Sequence, residues 1–404
     1  MYFLYSRISL GAYTTARTYE RHSIFEFETH VQRTADSIKL MLTSSTHATN
    51  ESLPESSDLL NSHTLLTNPL SLRQYLTQNI KLAMQYYNQY DNHHHQLSNS
   101  QSELKITVLV CWDTNVLPLC HAVNSVLLTP PSTLEEYYTL PTNTASSNSS
   151  LTATNTNPSI PPFAILTHIT ALPPRRQPPI KVHIQGAPRQ NAAAKDTEWV
   201  KQRTILEQTK PKDVEEIILI DHDGKILEGT QTNIFLLLNN NILYTAPIGL
   251  VLGGTVRRLL LEIGTKENIP IIEEAINISL LQESLLKFSS VNKDTNLLSN
   301  HSEKLYVTGA FITSTSRLVL PIDEISWSSQ IALVPKPIST ENNTASLVSS
   351  IESTTETKWV PLPPPDQTCY FTDDRSKQFI QRIETLVNQE IAKHSVRILD
   401  DMNK

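Results

Sequence analysis

PRQNAAAK, residues 188–195, ends on the lysine from which the rest of the chain can be read. Three alanines precede Lys195 and DTEWV (196–200) follows it, so small side chains leave room at the backbone. An amine becomes an imine-forming nucleophile when burial or neighbouring charge disfavours its charged form. Thirty-three residues later, ILEGTQTNIF (226–235) sets Glu228 before a Gly-containing bend that runs into a strand. LGGTVRR (252–258) puts Gly253 and Gly254 ahead of a helix, where backbone N–H groups form an anion site. ITSTSRLVLPI (312–322) offers Thr313, Ser314, Thr315 and Ser316 before another apolar run. Taken singly, each has a plainer reading: a solvated lysine, a glutamate ending a hairpin, a packing turn, an ordinary hydroxyl-rich turn. Taken together they form a different set. It holds an imine-forming lysine, a carboxylate able to keep a ring nitrogen protonated, and two backbone nests for phosphate. These are the parts of a site for pyridoxal 5′-phosphate.

The bulk properties leave room for such a site. At 404 residues the chain can bury a sizeable core in two or three domains, and its net charge of −7 gives no basic footprint for nucleic acid. Three cysteines, Cys111, Cys120 and Cys369, form no disulfide framework and suit a reducing compartment. No apolar run reaches the roughly 18 residues needed to span a bilayer, so no membrane partner is expected. The start, MYFLYSRISLGAYTTARTYE, alternates like a strand pair and lacks the continuous apolar segment of a signal peptide, which predicts a cytoplasmic protein.

Periodicity predicts an α/β chain interrupted by polar tracts. Residues 43–63, 90–103, 140–161, 289–303 and 338–357 are rich in Ser, Thr, Asn and Glu, and are expected to be disordered insertions. IFEFETHVQRTADSIKLML (24–42) begins as a strand or turn and becomes a helix with Val31, Ala35, Ile38 and Met41 on one face. LRQYLTQNIKLAMQYYNQY (72–90) is a second helix, and LKITVLVCW (104–112), FAILTHITALP (163–173) and PIKVHIQ (179–185) are strands. EEIILID and GKILEG form a hairpin around Asp223-Gly224, and NIFLLL pairs with ILYTA across Asn239–Asn241. GGTVRRLLLEIG carries Val256, Leu259, Leu260 and Ile263 on one helical face, and residues 373–397 make a final amphipathic helix. The expected domains are a small α/β unit (1–186), a cofactor-binding unit (187–335), a disordered linker (336–365) and a helical tail (366–404). The consecutive His93, His94 and His95 lie in a polar tract, and no metal site is expected. Asn-x-Ser/Thr triplets such as Asn148-Ser149-Ser150 are chance matches in tracts of this composition.

His30 and Arg33 sit one turn apart on the first helix, which by itself describes an ordinary surface pair. Together with the segments above, they complete a pattern that resembles the class IV aminotransferases. That family includes the branched-chain and D-amino-acid aminotransferases and aminodeoxychorismate lyase. The likeness covers roughly residues 10–42 and 180–326, with Arg17 in GAYTTARTYE on a matching arginine. It implies a fold-type IV enzyme with a small N-terminal α/β domain and a larger C-terminal domain of mixed sheet or barrel and helices. Lys195 would be catalytic and hold pyridoxal 5′-phosphate as a Schiff base. Glu228 would face the pyridine nitrogen. Arg33, Gly254, Thr255, Val256 and Thr315 would hold the phosphate, with Leu252, Gly254 and Arg257 in register with the family's L-x-G-x-T-R element.

Several positions depart from the pattern and mark a divergent member. The family's threonine falls on Val256, with Thr255 one place earlier. Val200 stands where branched-chain enzymes carry a tyrosine, and Ser316, Arg317 and Leu318 replace an Ala-Ala-Glu. The resemblance implies amino transfer between an amino acid and a 2-oxo acid, in a homodimer. An elimination like that of aminodeoxychorismate lyase, or a cofactor-binding or scaffold protein without turnover, are the alternatives.

Overall fold

A computed structural model describes residues 11–48, 63–94, 102–112, 163–290, 304–329 and 365–399. The N-terminal unit is built from strands β1 (Gly11–Tyr19) and β2 (Ser23–Phe25), helices α1 (Phe27–Ala48) and α2 (Pro69–His94), and strands β3 (Leu104–Cys111) and β4 (Ala164–Ala171). β1 alternates strictly. Ala12 and Ala16 face an apolar cluster with Ile106, Val108 and Val110 of β3, while Tyr13 and Thr15 point to the opposite face. Val31, Ala35, Ile38 and Met41 of α1 and Leu72, Leu76, Ile80 and Met84 of α2 cover the apolar face, as their spacing predicts. The other face of this sheet is left to a cavity.

The C-terminal unit contains β5 (Lys181–Ile184), α3 (Thr197–Thr209), β6 (Val214–Ile220), β7 (Ile226–Gly229), β8 (Asn233–Leu238) and β9 (Leu243–Thr245). It continues through α4 (Thr255–Lys266), β10 (Ile271–Glu273), α5 (Ser279–Ser290), β11 (Val307–Ser314), β12 (Leu318–Ile322) and β13 (Glu324–Trp327). β14 (Gln367–Tyr370), α6 (Asp374–Glu390) and β15 (Ser395–Arg397) complete the described chain. Its ten-stranded sheet runs β10-β9-β8-β7-β6-β5-β13-β14, with β11 paired to β8 and β12. Parallel pairs (β6 with β5, β5 with β13, β10 with β9) mix with antiparallel ones.

NIFLLL is apolar throughout because β8 is buried on both faces. Ile234, Leu236 and Leu238 enter one core with Ala310 and Ile312 of β11. Phe235 and Leu237 enter another with Phe311, Val256, Leu259 and Leu260. The Phe235 and Phe311 rings stack with centroids 5.0 Å apart. The Asp223-Gly224 hairpin forms as expected: Asp221 accepts from the amides of Asp223 (2.9 Å) and Lys225 (2.8 Å), and Gly224 takes the left-handed φ of 78°.

Three boundaries differ from the sequence reading. β5, assigned above to the N-terminal unit, belongs to the larger sheet, where it pairs with β6 and β13. The Pro-rich segment before it is the crossover, tied down by Arg175 to Glu384 and to the Val319 carbonyl (2.9 Å). A strand's local pattern does not name its partner, and the sheet that β5 joins follows only from the fold. The C-terminal segment is not a helical tail alone: β14 extends the larger sheet and β15 joins the five-stranded N-terminal sheet beside β2. The tracts expected as insertions lie outside the described residues, except at residues 102–103 and where helices enter them. α1 continues to Ala48, α2 to His94 and α5 to Ser290.

Glu26 ties three of these pieces together. Its buried carboxylate contacts Arg258 of α4 and the His394 ring nitrogen Nδ1 (2.7 Å) that precedes β15. Both partners are partly exposed, so the loss on Glu26→Gln is that of charge-assisted hydrogen bonds, about 1–3 kcal/mol. Urea unfolding should show the midpoint falling accordingly. An unchanged midpoint would mean that the C-terminal strand is held without this contact.

Candidate active site

A cavity of about 400 Å³ opens between the polar face of the N-terminal sheet and the C-terminal unit. It is lined from β1, α1, β3, β4, α3, the β7–β8 turn, the start of α4 and the β11–β12 turn. Lys195 enters it from a short turn braced on the N-terminal unit. The Lys195 amide donates to Ser37 Oγ (3.0 Å), and its carbonyl accepts from the Tyr13 amide (2.9 Å). The next residue, Asp196, caps α3 by accepting from the Trp199 amide (2.8 Å), so the chain turns into a helix directly after the lysine.

The Lys195 amine lies 4.6 Å from the centre of the Tyr13 ring. Burial, then the neighbouring guanidinium groups of Arg33, Arg203 and Arg189, hold its pKa well below the usual lysine range, with Glu228 opposing. Among the described residues no carboxylate lies within ion-pair distance of it. Such an amine is neutral at a pH where an ordinary lysine is charged, which is the condition for nucleophilic attack.

Glu228 ends β7, opposite Asn233 of β8. The bend between them is tight: a Cβ on Gly229 would lie 2.2 Å from Thr232 Oγ1. One carboxylate oxygen of Glu228 accepts from the Leu252 amide (3.0 Å). The other lies 3.5 Å from Arg189 and has no hydrogen-bond partner. Burial pushes the Glu228 carboxyl up to about 7, against the pull of Arg189, the Leu252 amide and Lys195. Arg189 itself donates to the Ala194 carbonyl (2.6 Å) and lies over the Trp199 ring, 5.0 Å from its centre. It orients both the lysine turn and the carboxylate.

The third element is a cradle for an anion. Arg33 reaches from α1 to donate to Thr255 Oγ1 (3.0 Å) and Thr14 Oγ1 (3.0 Å). His30, one turn earlier, contacts Thr14 and Arg33 and is kept neutral chiefly by burial. No described carboxylate lies within ion-pair distance of Arg33, and burial lowers its pKa to about 10. Opposite it, Gly254 precedes α4 with no side-chain cap, leaving the first helical amides open. A side chain is excluded here, since a Cβ on Gly254 would fall 1.9 Å from Asn233 Oδ1. Asn233 also donates to the Leu252 carbonyl (2.8 Å), fixing the loop.

Of the residues singled out by sequence, Arg33, Lys195, Glu228, Gly254, Thr255, Val256 and Thr315 all line this one cavity, with Thr313, Ser314, Ser316 and Arg317. The hydroxyl displaced to Thr255 is the one that meets Arg33, while Val256 also packs into the apolar core. Val200 lines the cavity without a hydroxyl. Arg17 and Arg257 are not in its lining. Arg257 is buried elsewhere, donating to the Ala246 carbonyl (2.9 Å) and to Glu273 (2.7 Å). The side chains of His93–His95 lie outside the described residues.

The sequence reading missed Tyr13, Thr15, Lys105, Thr107, His168, Thr170, Arg189 and Arg203. Alternation was the available signal. Lys105 and Thr107 interrupt an otherwise apolar strand at every second place, which marks a polar face.

Comparison with known proteins gives one family match. Residues 140–325 match the family model described as amino-transferase class IV. No curated protein matches the chain by sequence. A branched-chain aminotransferase from Thermoproteus uzoniensis, solved with norvaline, is similar at 12% identity, over 96% of this chain and 90% of that one, with a TM-score of 0.46. The Escherichia coli branched-chain amino acid aminotransferase is 15% identical over 78% and 76% of the two chains, with a TM-score of 0.43. A fold IV-transaminase from Curtobacterium pusillum is 12% identical over 78% of each chain, with a TM-score of 0.44.

The raised Glu228 pKa sets a pH dependence. Its folded-state value of about 7 exceeds the ordinary glutamate value of 4.5, so the folded state binds the proton more tightly than the unfolded one. Stability contributed by this proton is present below pH 4.5 and is lost as pH rises toward 7. Between those limits the stability of the cofactor-free protein relative to Glu228→Gln should fall by about 1.4 kcal/mol per pH unit. Urea unfolding of both proteins at three pH values checks this; parallel slopes would show that Glu228 is ionised without cost.

Proposed function

We propose that the chain is a divergent class IV aminotransferase that moves an amino group between an amino acid and a 2-oxo acid, using pyridoxal 5′-phosphate held through Lys195. The observation that carries this reading is the convergence in one cavity of three buried ionisable groups from distant parts of the chain. They are a lysine amine held below its usual pKa, a buried carboxylate with one open oxygen, and a buried guanidinium facing an uncapped helix start. Each matches one part of the cofactor: its carbonyl carbon, its ring nitrogen and its phosphate.

Lys195 would hold the cofactor covalently, and its amine, once released, would take the proton from the substrate Cα and return it during transfer. Glu228 would keep the ring nitrogen protonated through its open oxygen, with Arg189 keeping that carboxylate oriented. Arg33, the amides at the start of α4, Thr255 and Thr315 would bind the phosphate. When bound, the cofactor supplies an electron-withdrawing ring that accepts the electron pair left at Cα. The decisive experiment follows the visible band of the holoprotein. Transamination requires that an amino acid discharge it and a 2-oxo acid restore it. A band that no amino acid alters would leave a binding protein, and release of pyruvate from a 4-amino-4-deoxychorismate-like substrate would indicate elimination.

Borohydride reduction followed by peptide mapping should place a pyridoxyl group on Lys195, and Lys195→Ala should lose the adduct while staying folded. An adduct on Lys201 instead would overturn the assignment.

Arg33→Ala should weaken cofactor binding about 10- to 150-fold, the equivalent of about 1.5–3 kcal/mol for a charge-assisted hydrogen bond. Arg33→Lys should recover only part of it, because an ammonium lacks the planar fork. Titration of the cofactor-free protein measures both, and full affinity in Arg33→Ala would remove the N-terminal unit from the phosphate site.

A further inference from the structure

Arg317 lines the cavity, yet its charge is already met by the protein. Its Nε donates to Glu215 (2.7 Å), and its Nη2 lies 3.2 Å from Glu216. It is also one of the residues that replace the family's Ala-Ala-Glu, so the resemblance offers no role for it. Glu215 and Glu216 are neighbours on β6, and adjacent side chains of a regular strand point to opposite faces. They reach one guanidinium because β6 carries an extra residue at this place. Val214 faces Lys181 of β5 and Glu216 faces Val182, which leaves Glu215 as a bulge.

Glu216 is 1% exposed and acts in two directions. One oxygen accepts from the Thr230 hydroxyl (2.9 Å) and the Gln231 amide (2.6 Å), both in the bend that follows Glu228. Its side chain lies so close to that bend that a Cβ on Gly229 would come within 2.8 Å of Glu216 Cγ. The other oxygen faces Arg317, whose own amide donates to Ser314 Oγ (3.2 Å) in the turn that carries Thr315. The β8–β11 pairing ends at Asn233 opposite Thr313, and the Glu216–Arg317 pair carries the connection past it. Burial raises the Glu216 carboxyl, with Arg317 the foremost opposing charge. Without Arg317 this carboxyl should take up a proton rather than remain a lone buried charge.

We infer that Glu216 and Arg317 are positioning residues that lock the Glu228 bend to the Thr315 turn, so that the carboxylate meant for the ring nitrogen and the hydroxyl meant for the phosphate are held at one spacing. The purpose of that spacing rests on the proposed use of pyridoxal 5′-phosphate, whereas the link itself does not. The bulge in β6 is what allows it, because it brings a second carboxylate to Arg317 and leaves Glu216 able to face both turns.

The test changes one end of the link and reads the other, in the full chain carrying Glu216→Gln, Arg317→Met or both. Trp199 reports on the bend, because its Nε1 donates to the Thr230 carbonyl (2.9 Å). In the cofactor-free protein Arg317→Met should shift the Trp199 indole N–H resonance and leave that of Trp112, in the N-terminal core, in place. The same variant should weaken binding of pyridoxal, which has no phosphate, about 3- to 30-fold. Glu216→Gln, behind the bend, should weaken binding of inorganic phosphate by a similar factor. The double variant leaves no buried charge unpaired, so it should fold well and still bind as weakly as the weaker single variant, within about 2-fold. Arg317→Lys should recover only part, since one ammonium cannot span both carboxylates. An unmoved Trp199 resonance with wild-type pyridoxal affinity in Arg317→Met would make Arg317 a local brace and overturn the link. Full recovery in the double variant would trace the losses to an unpaired buried charge and overturn it as well. Either result would leave transamination standing. If the wild type bound neither pyridoxal nor its phosphate, the transamination reading would fail, and the Trp199 resonance would still decide whether Arg317 holds the bend.

Discussion

Two hydrogen bonds at Lys195, its amide to Ser37 Oγ and its carbonyl from the Tyr13 amide, join the halves of the chain at the point where the amine enters the cavity. One partner belongs to the first helix and the other to the first strand, more than 150 residues upstream. The same strand turns Tyr13 toward the amine and Thr14 toward Arg33. Register along β1 therefore couples the position of the lysine to that of the Arg33 guanidinium. A one-residue slip would exchange the faces of β1 and separate them.

Electrostatics then follows from packing. Lys195, Arg33 and Glu228 are withdrawn from water by the closure of the two units, and each is moved from its usual pKa mainly by that burial. Neighbouring charges refine the result. The guanidinium groups lower the lysine further, while Arg189 and the Leu252 amide restrain the rise at Glu228. The strain of such a site is carried by ordinary apolar packing elsewhere: β8, buried on both faces, holds Asn233 and the Glu228 bend against β11 and α4. Leu318, left-handed at φ 57°, closes the turn that carries Thr315 to the cavity.

Much of the architecture was legible from local pattern. The helix faces of α1, α2 and α4, the Asp223-Gly224 hairpin and the β8–β9 pair each depend on periodicity or on turn residues close in sequence. The strands that escaped, β10 to β15, are mostly short, and β10, β13 and β15 pair with strands distant in sequence. Their residues carry no local signal strong enough to stand against loop. Among site residues, Lys195, Glu228, Gly254 and Thr315 stand in short segments whose chemistry can be read directly. Arg189, quoted within the same run as Lys195, could not be given a role, because its work depends on Glu228 and Trp199 lying beside it.

The sequence by itself determined the longer helices and the strands marked by period or turn, which residue types can bond an aldehyde carbon, a ring nitrogen and a phosphate, and where the glycines permit close approach. Tertiary structure alone decided that β5 joins the larger sheet and β15 the N-terminal one, that Arg257 turns away from the cavity while Thr255 meets Arg33, and that Arg189 stands beside Glu228. The physical reason is range. Propensity, periodicity and turn chemistry act over a few residues and are written locally, whereas strand partners, desolvation and the balance of charge in a cavity are set by groups brought together only when the chain folds.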